Sequence, residues 1–408
     1  MKIYISGISG TGMGPLALMA KAAGLTVFGS DLAKGAIYDE LVAAGIPVFI
    51  GEQDGKFLRE KLAEGVEWFV YTSALAEDHP ELLMAREAGI KVSKRDELTA
   101  FLIRELGLKM VAVAGTHGKT TTTSMIVFAA QELGVPVSYI VGTTLGFAPS
   151  GLYRQGAKYF IYEADEYDRN FLKFSPWLSV VTVVSYDHPD IYPTREDYEA
   201  AFAEFMGQSE NVISAPEISA EKFRLAGEVR RKDAAFAFSA IRKMAPEIAE
   251  EKIIEVLNRF PGVGRRFEKL AEGIYTDYAH HPEEVKATMN VALDEAGLRG
   301  FRGVVAVYQP HQNTRQHEVF EGYRDAFVGA EKVWWLPTYL TRENPELEIL
   351  TPEKLISGLS NTEVADEVEL NDELFRKILE YRDAGYLVLL MTAGPADKWL
   401  RDKIKEEK

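Results

Sequence analysis

Cysteine is missing altogether from this chain of 408 residues. That removes disulfides, thiolate metal sites and cysteine nucleophiles together, and it suits a reducing compartment. A surplus of positive charge is missing too: 46 Lys and Arg stand against 62 Asp and Glu, for a net charge of −16. Nucleic acids and anionic membranes reward a basic surface, so neither is expected as a partner. An anionic small substrate would need a few locally placed cations. No apolar run is long enough to span a bilayer. The opening "MKIYISGISGTGMGPLALMAKAAG" is basic and then apolar, but its glycines fall where a strand should turn into a helix. It also has no convincing small-residue cleavage pattern, which argues against a signal peptide and for a cytoplasmic protein.

What is present is a repeated local event. A short β-rich apolar run, a polar loop and a helical pattern follow one another at "KIYISG" (2–7), "MVAVAG" (110–115) and "GVVAVYQP" (303–310). Further runs such as "GLTVFGSD", "VEWFVYTSA" and "AKYFIYEADE" alternate with helix-like sequence in the same way. Strands alternating with helices predict parallel sheets covered on both faces. Three such starts, in a chain 47% hydrophobic, predict an α/β protein of three domains in series. The first boundary is expected near Leu106–Lys109. The second is expected within "NRFPGVGRRFEKL", where Pro261, Gly262 and Gly264 interrupt a helical pattern. This gives domains at 1–107, 108–262 and 263–408. The aromatic stretch "WWLPTY" at 334–339 reads as core and loop packing.

The segment "VAVAGTHGKTTTTS" from Val111 carries the clearest chemistry. A strand, a glycine-flanked turn and a helix start form the arrangement that holds a polyphosphate on backbone N–H groups. The spacing is short, because Val113 occupies the position where the common phosphate loop has its first glycine. Gly115 and Gly118 let the backbone curl, Lys119 is positioned for β and γ oxygens, and the Thr120 hydroxyl is a magnesium ligand candidate. A plain strand-to-helix turn would give that lysine no packing purpose. Hard oxygen ligands for magnesium are offered by "IYEADEYD", with Glu163, Asp165, Glu166 and Asp168, just past the next strand. Read alone, that acidic run is equally a solvated turn. Asp187 and His188 in "VVSYDHPDIYP" follow another strand, although nitrogen is an unusual magnesium ligand.

"GTHGKTTTT", "EADEYD", "YDHPDIYP", "PGVGRRFE" and "DYAHHPEEV", in this order and spacing, resemble the Mur ligase family, which builds the cell-wall peptide by ATP-driven amide synthesis. The likeness runs from "GISGTGM" to "MTAGPADKW". It implies an N-terminal Rossmann-like domain for a UDP-sugar, a central P-loop ATPase domain with a parallel-rich sheet, and a C-terminal Rossmann-like domain. It implies that Gly115, Thr116, His117, Gly118, Lys119, Thr120 and Thr121 hold ATP, and that Thr120, Glu163 and His188 bind Mg²⁺. Arg266 and Asp277 match positions near the nucleotide; His280 and Arg315 match positions near the incoming amine. Lys119, His280 and Arg315 are therefore the catalytic candidates. Read alone, the pair His280–His281 is as well explained by a helix cap.

"GISGTGMG" also resembles a dinucleotide fingerprint, and Asp31 in "FGSD" lies at a distance suited to a ribose. Read alone, this turn points to an NAD-dependent oxidoreductase, the rival reading, but Ser9 stands in the place of the second glycine, so the fit to that fingerprint is incomplete. The family resemblance reassigns Ser9, Gly10, Thr11, Gly12, Met13 and Asp31, with Ser73 in "YTSA", to the UDP-sugar. The expected substrates are UDP-N-acetylmuramate and L-alanine, bound by a monomer or weak homodimer. Tyr167, Ala279 and "NT" at 313–314 look more like members that attach a tripeptide to the same sugar.

The chain also departs from the family pattern. The segment before the motif "LPGxHNxxNA" is short, and that motif reads "LAGEVRRKDA", with Val229, Arg230 and Asp233 in place of the histidine and two asparagines. These losses keep a third reading open, a non-catalytic UDP-sugar-binding protein. Against it stand the retained Lys119, Thr120, Glu163 and His188.

Overall fold

The structure is a computed structural model and describes residues 1–72, 75–186, 191–341 and 343–407. Among the described residues, seventeen strands form three sheets. The first contains β1 (Lys2–Ser6), β2 (Thr26–Asp31), β3 (Val48–Ile50), β4 (Trp68–Tyr71) and β5 (Lys91–Lys94). Their order is β3-β2-β1-β4-β5, all parallel. The chain reverses direction across this sheet between β1 and β4, so the glycine turn after β1 opens at a topological switch point, where α/β sheets bind ligands.

The second sheet contains β6 (Lys109–Ala114), β7 (Val137–Ile140), β8 (Gly151–Leu152), β9 (Tyr159–Glu163), β10 (Leu178–Val181) and β11 (Val212–Ile213). It is ordered β11-β10-β6-β9-β7-β8 and is parallel except for the β7–β8 pair. β6 is central and reads as an unbroken apolar run, as a strand covered on both faces must. Its neighbours bring Glu163 level with Val113, and Val181 level with Ala114. Two further loops therefore open beside the phosphate-loop turn.

The third sheet contains β12 (Glu268–Ala271), β13 (Ile274–Asp277), β14 (Val304–Gln309), β15 (Ala330–Trp335), β16 (Ala365–Glu367) and β17 (Leu387–Thr392). Its order is β12-β13-β17-β14-β15-β16, parallel apart from the β12–β13 hairpin. Side chains alternate strictly on β15: Trp335 packs with Tyr308 and Phe327 on one face, and Trp334 with Val307 and Leu390 on the other. The "WW" pair is thus core on two sides.

The α/β class and the three-sheet organisation follow the sequence expectation. The chain packs as two compact units, Met1–Phe223 with Lys232–Phe260, and Arg224–Arg231 with Pro261–Lys408. The first and second sheets share the first unit and one continuous apolar cluster, from Ile3 and Met19 to Phe160 and Phe202. Two polar details lock them. Glu40 accepts from both the N–H and the hydroxyl of Ser150, at 2.6 and 2.9 Å. Gly151 lies so close to the Pro15 backbone that an added methyl group would overlap its carbonyl.

Gly151→Ala should therefore lower the unfolding free energy by about 2–3 kcal/mol, the usual cost of overpacking. Gly146→Ala, which meets nothing within 4 Å, should shift it by less than about 0.5 kcal/mol. Urea denaturation measures both, and equal midpoints would refute the tight contact.

Candidate functional site

The phosphate-loop turn is shaped by contacts that only glycine permits. Gly115 has φ +139° and Gly118 φ +82°; a side chain at the first would overlap Thr182, and at the second Asp233. Thr182 Oγ1 donates to the His117 carbonyl at 2.6 Å, and Thr116 Oγ1 meets Ser185 O at 2.7 Å and the Tyr198 hydroxyl at 2.8 Å. The loop is thus clamped along the edge it shares with the end of β10. Gly118 caps the helix Lys119–Glu132, whose first-turn N–H groups face outward for an anion, with Thr120 and Thr121 on that turn.

Lys119 Nζ donates to the Gly115 carbonyl at 2.6 Å and pairs with both oxygens of Glu166, at 2.9 and 2.8 Å. The lysine side chain is 16% exposed and the glutamate 1%. Burial pushes the Glu166 carboxyl above its ordinary range, and the Lys119 charge opposes that shift. Glu166 was one of four acidic candidates in the sequence. The structure gives it the particular task of countering the loop lysine.

Thr120 Oγ1 donates to Glu163 Oε1 at 2.7 Å. Glu163 Oε2 has no well-formed hydrogen bond among the described residues, although the Gly142 N–H beside it interacts weakly. Burial raises the Glu163 pKa, which the Thr120 hydroxyl and the Lys119 charge partly offset. A buried carboxylate oxygen without a well-formed hydrogen bond, next to a hydroxyl, fits a hard cation such as Mg²⁺. No three His, Asp or Glu side chains among the described residues come close enough together to hold an ion without help from elsewhere. Ser73, Asp187, His188 and the Asp168 side chain lie outside what is described.

In the first sheet, Ser9 is buried. Its N–H and hydroxyl both donate to Asp31 Oδ2, at 2.9 and 2.7 Å, and its Oγ accepts from the Gly35 N–H at 3.0 Å. The residue replacing the fingerprint glycine thus ties the turn to the end of β2, using one oxygen of the acid expected to reach a ribose. Gly10 accepts from Met13 and Gly14 N–H groups, and Met13 is buried at the start of the helix Gly14–Ala22. Beyond them, Thr11 and Gly12 line a cavity of about 230 Å³ whose other walls include Lys119, Glu163, Arg95 and Asp165. The first glycine turn and the lysine that follows the second thus border the same space. Arg95 carried no sequence signal of its own.

The second unit holds the remaining candidates. Asp277 is buried and accepts from the Phe267 N–H at 2.6 Å and the Ala279 N–H at 2.8 Å. Burial pushes its carboxyl up, against those N–H groups and Arg266. It therefore organises the turn that presents Arg266, which is exposed between Arg265 and Phe267, both at positive φ. His281, not His280, is the helix cap: its side chain accepts from Glu283 N–H in a capping box. His280 Nδ1 lies 3.0 Å from the Tyr278 carbonyl, and its ring packs edge-on to His311. Arg315 Nη1 approaches His311 Nδ1 at 3.5 Å. Burial, then His280 and Arg315, lower the His311 pKa, so that imidazole stays neutral near pH 7. His311, four residues before Arg315, carried no sequence signal of its own. Of the altered motif, Arg230 stacks over Phe267, Arg231 donates to Leu225 O at 3.0 Å, and Val229 is exposed in this unit.

Residues 2–106 match the catalytic domain of the Mur ligase family, and residues 113–253 match the Mur ligase middle domain. A UDP-N-acetylmuramate–L-alanine ligase from Carboxydothermus hydrogenoformans is 32% identical, covering 97% of this chain and 94% of its own. That alignment runs over 460 positions, more than this chain has residues, so the relative carries segments that are missing here. The crystal structure of UDP-N-acetylmuramate-alanine ligase MurC from Thermotoga maritima shares the fold with a TM-score of 0.78 over 100% of both chains, at 21% identity. A murein peptide ligase from Psychrobacter arcticus does so with a TM-score of 0.59, 20% identity, and 99% and 98% coverage.

Glu163, its pKa raised by burial, binds a proton more tightly folded than unfolded. Its contribution to stability is therefore fully present below the ordinary value of 4.5 and is lost as pH rises from there through the raised folded value. Without added magnesium, Glu163→Gln should thus overtake the parent protein in urea midpoint as pH rises through that window. A difference that does not change with pH would remove the strained carboxylate from the site.

Proposed function

The chain belongs to the Mur ligase family, and from that premise we infer that it joins L-alanine to UDP-N-acetylmuramate at the expense of ATP. The reaction serves peptidoglycan synthesis. The observation that carries this reading is the shared cavity, lined by Thr11 and Gly12 of one glycine turn, by Lys119 directly after the other, and by Glu163 at the end of β9. A phosphate donor and an acid acceptor have to meet, and here one glycine turn and the lysine that follows the other border one space.

A carboxylate is a poor electrophile, so the sugar's acid first attacks the γ-phosphate of ATP to give an acyl phosphate. The amine then attacks the carbonyl and phosphate leaves. Lys119 and the amides of Gly115–Thr121 hold the nucleotide and offset charge on the transferring group. Thr120 and Glu163, with His188, would hold Mg²⁺, which when bound supplies charge neutralisation at the phosphates. Arg266 and Asp277 serve the nucleotide; Ser9, Gly10, Thr11, Gly12, Met13, Asp31 and Ser73 serve the UDP-sugar. His280, beside the neutral His311, is suited to receive the proton of the incoming amine, and Arg315 to bind its carboxylate. Residues 1–107, 108–262 and 263–408 are read as the sugar, nucleotide and C-terminal domains. No described helix is long and apolar enough to cross a membrane. The two nucleotide substrates support a cytoplasmic reaction.

The tripeptide alternative rested on Tyr167, Ala279 and Asn313–Thr314. Asn313 is buried, donating to Glu348 O at 3.0 Å and accepting from Leu350 N–H at 2.9 Å, while Thr314 N–H bonds Glu343. Ala279 is buried as well. These side chains serve local folding, which weakens them as evidence for a larger amine. Phosphate release with ATP, Mg²⁺ and UDP-N-acetylmuramate should therefore be faster with L-alanine than with the tripeptide. Lys119→Ala should cut turnover by about 10²–10³-fold while leaving UDP-sugar binding intact. Release of AMP and pyrophosphate would overturn the acyl-phosphate route.

A further inference from the structure

Arg95 opens the helix Arg95–Glu105 directly after β5, at the edge of the first sheet. Its Nη1 lies 2.9 Å from where a side chain on Gly12 would begin, so the guanidinium packs against the glycine turn. Its Nη2 lies 3.5 Å from Asp165 Oδ2, beyond ordinary hydrogen-bond length. Asp165 stands two residues after Glu163, on the loop beside Lys119. The adjacent Asp96 takes a 2.8 Å ion pair from Lys173, which fixes this helix end to the segment that follows β9. Arg95 and Lys119 are the cations among the cavity-lining residues, but their situations differ. Lys119 is hydrogen-bonded to a carbonyl and a carboxylate, whereas among the described residues the planar fork of Arg95 has only a long, partly exposed ionic contact. Leu16, Ile140 and Tyr162 supply an apolar wall to the same space.

A planar fork between a sugar-nucleotide turn and a phosphate loop matches one group of the substrates in charge, shape and place: a carboxylate that must attack phosphorus beside Lys119. We propose that Arg95 recognises the free carboxylate of the sugar nucleotide and aligns it for attack on ATP, exchanging its loose contact with Asp165 for that acid. The proposal rests on the ligase reading above and names its substrate-positioning residue.

Two ligands separate carboxylate recognition from everything else: UDP-N-acetylmuramate, and UDP-N-acetylglucosamine, which lacks the lactyl acid. Titration calorimetry should show Arg95→Ala weakening the first by about 10- to 100-fold, the worth of a charge-assisted hydrogen bond, with the second unchanged. Arg95→Lys keeps the charge without the fork and should lose part of the preference, which provides the test should the alanine variant fail to fold. Equal weakening toward both sugars would mean that Arg95 reads the diphosphate, and no weakening would mean that it is structural; either overturns the proposal. A parent protein that bound neither sugar would instead bring down the ligase reading, and this assignment with it.

Discussion

The register of three parallel strands governs the site. With β6 central, Val113 beside Glu163 and Ala114 beside Val181, the phosphate-loop turn must emerge between an acidic loop and Thr182. Chain geometry then leaves no room for side chains at Gly115 and Gly118, and Lys119 is left to find a counter-charge in a nearly closed space. Glu166 supplies it. Two charges withdrawn from water are tolerated because each has the other and a carbonyl completes the lysine's set. An arriving phosphate would compete with Glu166 for the same lysine, so the protein holds the lysine where a phosphate needs it without exposing it to solvent.

The second unit achieves placement by strain. Arg265 and Phe267 adopt φ +56° and +49°, conformations that cost on the order of 1 kcal/mol or more for side-chain-bearing residues. They persist because Glu268 accepts the Arg265 N–H at 2.7 Å, Asp277 accepts the Phe267 N–H, and Arg401 clamps Glu268. Arg266 is thereby turned outward from a rigid corner.

Legibility in the sequence followed distance along the chain. β1, β6 and β14 could be read from their apolar runs, and Lys119, Thr120 and Glu163 from motifs a few residues long. β8 could not, because two residues, one of them glycine, make no pattern, and their pairing depends on β7. The third sheet begins with the β12–β13 hairpin, whose first strand, "EKLA", carries little apolar signal. Arg95 meets Gly12 and Asp165, and Asp233 presses on Gly118, across separations that no local motif encodes. The histidine pair shows the same limit. Adjacent in sequence, His280 and His281 divide into a site residue and a helix cap through partners that only the fold supplies.

The Glu40–Ser150 clasp and the backbone contact of Gly151 with Pro15 make the first two sheets one body. Exchanging the leading hundred residues for those of a cousin, as modular engineering would attempt, would seat a foreign helix on a surface shaped for Pro15. A viable chimaera would have to import the strip from Val137 to Tyr153 as well. The inherited unit is the matched pair, whatever the linear boundary suggests.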